Sequence, residues 1–247
     1  MKKWLWPLLG FLTLYLIFII AYAPASWLVA KAPLPKNVQL GTVEGSLWHS
    51  KLDSVYVDGV QLNDIDARLS VLSLLTLNPS VDLTFGNPLL VGPAGELSAS
   101  GFLGDLRVED ADVNLPADLI AQLAQLPVPA TAHKNVELKL EVFEQGSPVC
   151  TQAQGTITWK QAAVTTFDKR VELGDLSATL SCQKGELQVV IDQGNKLGLS
   201  LTAAIGARFR TKVNGFVKPT NETPQEVIQA LGFWGKPDRE GRYAIRL

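Results

Sequence analysis

The chain has 247 residues with 22 basic and 24 acidic side chains, a formal charge of −2, and 47% of it is hydrophobic. That balance excludes a nucleic-acid grip, which needs a strongly basic face. Twenty glycines and fourteen prolines among short runs of valine, leucine and threonine point instead to many strands and turns.

The first element is the apolar run from Trp4 to Ala30, preceded by Lys2 and Lys3 and followed by Lys31. Its only ionisable side chains are those of Tyr15 and Tyr22, and a bilayer core needs about 20 apolar residues, so the run is long enough to cross one. Trp4 and Trp6 at one end and Tyr22 and Trp27 at the other suit the two headgroup zones. A cleaved signal peptide is the competing reading. Its apolar region would be roughly 7 to 15 residues; this run is longer, and a cut after Ala23 would leave Pro24 next, although a cut after Ala25 stays open. The anchor is favoured, with 1–3 as a short cytoplasmic tail, 4–30 as the single transmembrane helix, 31–37 as a proline-rich neck and 38–247 as a β domain outside the cytoplasm.

Residues 38–50 read as a strand interrupted at Gly45. Val55 and Val57, then Val60 and Leu62, change parity across Asp58-Gly59, which marks a turn or bulge, and Ile65, Ala67, Leu69 and Val71 form one apolar face. Leu72–Leu75 is a candidate helical turn. Val81, Leu83 and Phe85 alternate again, followed by strands at 95–101 and 104–115, the second without a clean apolar face. Pro116 opens a helix candidate with Leu119, Leu123 and Leu126 on one stripe, ended by Pro127 and Pro129.

In the second half, Val136, Leu138, Leu140 and Val142 alternate with Glu137, Lys139 and Glu141, the pattern of a half-buried strand. Similar strands fall over 150–160, 173–182, 185–191, 197–203 and 209–213. Thr223-Pro224-Gln225-Glu226 has the form of a capped helix start, with Gly232 as its stop. Tyr243, Ile245 and Leu247 form the inward face of a last strand. The fold class is mainly β: a long, curled antiparallel meander with one or two short helices behind one transmembrane helix. Cys150 and Cys182 either pair or lie as separate buried thiols. Export favours the bond, whose loop of roughly 33 residues would remove about 3 to 4 kcal/mol of chain entropy from the unfolded state.

No catalytic, cofactor-binding or metal site is expected. His49 and His133 lack metal-ligand spacing; His49 reads as a surface or packed residue and His133, in a proline-rich run leading into a strand, as solvent-exposed. No serine lies in G-x-S-x-G. Asp64 with Asp66, and Asp110 with Asp112, read as solvated strand carboxylates, and Gly41-x-x-x-Gly45 lacks the Gly-Lys-Ser/Thr of a phosphate loop. The apolar face of the meander leaves two readings open, a filled core or a trough able to hold acyl chains.

Several segments in order resemble the type II secretion system protein N family: the N-terminal apolar run, GTVEGSLW at 41–48, Cys150 with GTITW at 155–159, Cys182 with GELQV at 185–189, and the terminal LGFWGKPDREGRYAIRL. The resemblance implies a non-enzymatic accessory component of the Gram-negative inner membrane that supports export of folded periplasmic proteins across the outer membrane. It implies inner-membrane and periplasmic components of that apparatus as partners, membrane lipid around the anchor and no nucleic acid. The family's pattern carries onto Gly41, Gly45, Leu47, Trp48, Cys150, Gly155, Trp159 and Cys182, all read as architectural. A looser similarity to AsmA-like proteins implies the alternative, a tethered module binding or transferring lipid in a hydrophobic groove.

Overall fold

The computed structural model describes residues 5–29, 37–87, 91–101, 105–123, 130–166 and 169–246. The tail over 1–3, most of the neck and the inward placement of Leu247 lie outside the described residues.

The apolar run does not form one helix. Helix α1 (Leu5–Ala21) has 17 residues and α2 (Ala25–Val29) has 5. Pro24 has no N–H and disfavours a helical conformation at the residue before it, so the chain leaves α1 ahead of it. The carbonyls freed there are taken by the β domain: Leu47 N–H donates to Ala23 O at 2.9 Å, the Trp48 indole N–H donates to Ala21 O at 3.1 Å, and Pro24 forms an isolated bridge with Ser46. At about 1.5 Å per residue α1 is about 25 Å long, against a hydrocarbon core of about 30 Å. No helix among the described residues is long and apolar enough to cross a membrane. This corrects the transmembrane anchor expected over 4–30, and with it the single-pass inner-membrane topology with a cytoplasmic N-terminus.

The rest is an antiparallel meander of fifteen strands among the described residues. Strands β1 (Val38–Leu40), β2 (Val43–Gly45), β3 (His49–Val57) and β4 (Val60–Leu69) are followed by α3 (Val71–Leu75). Then come β5 (Ser80–Phe85), β6 (Ala94–Ser100), β7 (Arg107–Pro116) and α4 (Ala117–Leu123). Strands β8 (Thr131–His133), β9 (Asn135–Gln145), β10 (Cys150–Thr166), β11 (Lys169–Gln183), β12 (Glu186–Ile191), β13 (Leu199–Ile205) and β14 (Thr211–Val217) precede α5 (Gln225–Trp234) and β15 (Tyr243–Arg246). Strand order follows chain order from β1 to β15, except that β2 flanks β3 beside β1, and β8 flanks β10 beside β9.

Local chemistry explains the turns. Asp58 and Gly59, both at positive φ, make a two-residue turn joining Val57 to its partner Val60. Ser70 caps α3, its hydroxyl accepting from Ser73 N–H. The unclear face of β7 has a physical cause: Asp110 at φ 49° bulges the strand, so Val108 pairs with Ala99 while Val113 pairs with Gly95 in a shifted register. The capping box expected at Thr223 is not formed. The Thr223 hydroxyl donates to Lys196 O, Pro224 stands at the cap position, and α5 runs through Gly232 to Trp234.

Register sorts the side chains into two faces. Phe85, Gly95, Val113, Leu138, Ile157, Ala178, Ile191, Leu201, Gly215 and Ile245 follow one another in direct pairing across ten strands, an apolar row. The adjacent row, on the opposite face, runs Glu44, Lys51, Asp66, Thr84, Glu96, Asp112, Lys139, Thr156, Thr179, Val190, Thr202, Asn214 and Arg246. The helices touch the sheet at its margins, α2 against β2 and α4 against β7 and β8. Full burial is confined mainly to small residues such as Ala111, Ala153, Ala162, Ala163 and Ala178, with Val142, Val171 and Leu180, and most of the apolar row is half-buried.

The sheet is open: β1 and β15 are its two ends and do not pair with each other. The curled meander expected from the sequence is therefore corrected to an open one, and the apolar trough loses its basis. Alternation assigns a face to each side chain, whereas closure depends on the two end strands meeting, which alternation does not encode.

Gly155 is held by close approach. A Cβ built there would lie 2.6 Å from Lys139 O and 3.1 Å from Leu140 Cα on β9. Replacing Gly155 with alanine is expected to force β9 and β10 apart and destabilise the fold by roughly 1–3 kcal/mol. A urea melt of the variant beside the parent chain reads the change; equal midpoints would place the strands further apart than described.

Candidate functional site

The sequence-derived positions gather in two places. The first is the joint between the helices and the sheet. Gly41 N–H donates to Ser54 O at 2.8 Å, and a Cβ at Gly41 would lie 2.6 Å from the Ser54 hydroxyl. Gly45, at φ 90°, passes so close to His49 O that a Cβ would lie 2.4 Å from it. This tight turn aims Leu47 and Trp48 at the end of α1. Trp48 is half-buried and joins the two parts through its indole N–H, so it is a clasp more than a core residue.

The second place is the pair of long strands β10 and β11. Cys150 at the start of β10 and Cys182 near the end of β11 are joined by a disulfide, with Cα atoms 6.1 Å apart and Cys150 buried. The bond ties the β9–β10 turn to the β11–β12 turn, where Val149 and Cys150 N–H both donate to Gly185 O. Towards the other end of β10, the Trp159 indole N–H donates to His133 O at 2.8 Å. His133 Nε2 lies 2.7 Å from the Thr165 hydroxyl, so this histidine is half-buried rather than solvent-exposed.

The polar face carries interactions that sequence spacing did not reveal. Asp66 lies 2.8 Å from His49 Nε2 and 3.1 Å from Arg68 Nε. The hydrogen bond from His49, reinforced by Arg68, holds the Asp66 carboxyl below the ordinary aspartate range. Glu137 is lowered by its hydrogen bond with Lys139, 3.0 Å away. Arg107 bridges Glu109 and Glu144. Asp118 accepts from Ala132 N–H at 3.2 Å, which tethers β8 to α4. His49 with Asp66 and Arg107 with Glu144 join neighbouring strands, so only register brings them together, whereas Arg68 with Asp66, Arg107 with Glu109 and Glu137 with Lys139 lie two residues apart on one strand. One signal was present: Glu137, Lys139 and Glu141 alternate in sequence.

Asp64 and Asp66, and Asp110 with Asp112, do not converge on a reaction centre. Asp64 and Asp110 both stand at positive φ at strand irregularities, and Asp112 pairs across strands with Lys139, 3.6 Å away. Of the hollows in the sheet surface, one is mainly polar, bordered by Thr42, Glu44, Lys51, Asp53 and Asp64, and another is mixed, with Phe85, Ala94 and Gly95 beside Thr84, Glu96, Asp112 and Asn114. Among the described residues no group of three or more His, Cys, Asp or Glu side chains is placed to hold a metal ion.

The described chain is thus an open antiparallel sheet with one apolar and one polar face, joined to an apolar helix through the Trp48 indole. The family model for type II secretion system protein N matches residues 36–246. The chain is 31% identical to type II secretion system protein N of Aeromonas hydrophila, over 96% of this chain and 94% of that protein. It is 27% identical to the protein of the same name from Vibrio cholerae serotype O1, over 94% and 93%, and 25% identical to that of Klebsiella pneumoniae, over 94% and 90%. The chain belongs to the type II secretion system protein N family. No solved structure matches it.

Two expectations follow. Trp48→Phe keeps a ring and removes the indole donor, so α1 should become more readily released: chymotrypsin should cut between 22 and 30, after Tyr22 or Trp27, several-fold faster while the β domain melts at nearly the parent temperature. Asp66→Asn tests the charge pair. A carboxylate with a depressed folded-state pKa contributes stability that is present above its unfolded value of about 3.9 and is lost as pH falls through the folded value. The parent should therefore lose urea stability below about pH 4 more steeply than Asp66→Asn does; parallel pH profiles would remove Asp66 from the account.

Proposed function

We propose that this chain is an accessory component of type II secretion that acts through protein–protein contacts made by its sheet. Membership of the family over residues 36–246 is the observation that carries this reading. Two features support it. The sheet offers a continuous surface with chemically distinct faces, and the family is defined by its place in the secretion system. The proposed partners are inner-membrane and periplasmic components of that apparatus. A disulfide between Cys150 and Cys182 suits contacts made in an oxidising compartment.

In the same reading residues 38–247 work as one β domain. Gly41, Gly45, Leu47, Trp48, Gly155 and Trp159 are proposed as architectural positions that set the joint and the strand spacing, and Cys150–Cys182 as a structural bond. The membrane-tethered lipid carrier is not retained, because the sheet neither curls nor closes over its apolar face.

Photo-crosslinking from the two faces tests the proposal. A photoreactive side chain at Thr179 reports on the polar face and one at Ile191 on the apolar face, since Thr179 pairs with Val190 and Ala178 with Ile191. Adducts with named components of the secretion apparatus are expected in secreting cells. Absence of such adducts from both positions, with secretion intact after deletion of the gene, would overturn the reading.

A further inference from the structure

Charge divides along the strand order. Residues 37–116, which hold β1 to β7, contain eleven acidic and three basic side chains, a net −8. Residues 196–247, which hold β13 to β15, contain four acidic and nine basic side chains, a net +5. In an open meander this sequence asymmetry becomes a spatial one, and the C-terminal end of the sheet is its basic end.

The arginines are not equivalent. Arg68, Arg107, Arg170 and Arg242 each have a carboxylate oxygen within 3.1 Å. Among the described residues no ion pair reaches Arg210, Lys212 or Arg246, and all three are exposed. They share a face: Arg246 pairs directly with Asn214, and Lys212 and Arg210 follow at two-residue steps in extended backbone. Ile245 and Val213 lie on the opposite face and are half-buried. Strand β15 is last in the order, and no strand pairs with its outer side among the described residues.

We propose that the β14–β15 edge is a strand-addition site for an extended segment of another protein in which acidic residues alternate with apolar ones. Main-chain hydrogen bonds along β15 supply the attachment, and side-chain period selects the partner. Every second residue of the added strand falls on the face of Lys212 and Arg246, where a carboxylate finds two unneutralised cations. The intervening residues fall beside Ile245, where an apolar side chain extends the apolar row by one strand. The same charges disfavour edge-to-edge pairing of two copies, because that brings two basic edges together. This deepens the accessory reading, on which its biological setting rests, but its test does not depend on secretion.

Purified full-length chain is titrated into three fluorescent nine-residue peptides: alternating Glu and Val, alternating Lys and Val, and the Glu–Val peptide N-methylated at its valine amides. The Glu–Val peptide should bind at least tenfold more tightly than the Lys–Val peptide, and N-methylation should abolish binding. Lys212→Glu with Arg246→Glu should reverse the preference, and bound peptide should slow amide exchange at Tyr243–Arg246 in the parent chain. Should the double variant not fold, exchange in the parent chain decides alone. Equal binding of the Glu–Val and Lys–Val peptides, protection elsewhere than β15, or β15 amides already protected by self-association without peptide would each overturn the proposal. None of these would touch the crosslinking result, so the two readings fail separately.

Discussion

Cross-strand register is the constraint on which this structure depends. In an antiparallel ladder directly paired residues share a face, and a slip of one residue would move every side chain of a strand to the other side. From Phe85 to Ile245 the pairs keep apolar residues or glycine in one row, while the neighbouring row carries Lys51, Asp66, Glu96, Asp112 and Lys139. A slip anywhere would set charge against Leu138 or Ile157. At Asp110 and near Gln161 the register shifts locally, and the rows continue on either side.

A single open layer has a consequence for how such a protein is held together. With no second sheet against the apolar side among the described residues, large side chains stay half-buried and close packing concentrates where strands approach through small residues, at Ala162, Ala163, Ala178 and Gly155. Stability then comes from the ladder, from cross-strand pairs such as Lys139 with Asp112, and from ties between turns such as Cys150–Cys182. The ends of such a sheet offer main-chain groups to any chain of suitable chemistry. The N-terminal end is blunted, since β1 and β2 are three residues each and the second is backed by α2, and at the C-terminal end the four-residue β15 is guarded against a second copy by its basic side chains.

Trp48 connects these two themes. The glycines at 41 and 45 fold the β1–β2–β3 corner tightly enough to bring Leu47 and Trp48 to the carbonyls left by Pro24. The break in the apolar run and the start of the sheet are thus one local structure, in which the sheet satisfies what the proline leaves unpaired.

Much of the meander was legible in the sequence, because alternation at Val136–Val142 or Leu197–Ala203, and turn residues such as Asp58-Gly59, act over a few neighbouring residues. The family was legible too, from GTVEGSLW, GTITW and the terminal segment in order. Tertiary structure decided the rest. Apolar length alone suggested a membrane-crossing helix, but Pro24 and the hydrogen bonds from Leu47 and Trp48 divide it, and those donors lie more than twenty residues downstream. Whether the sheet closed, and which carboxylate met which base, depended on contacts between strands distant in sequence. Short-range pattern determines an element and its faces; the meeting of its edges is settled only when all the strands are in place.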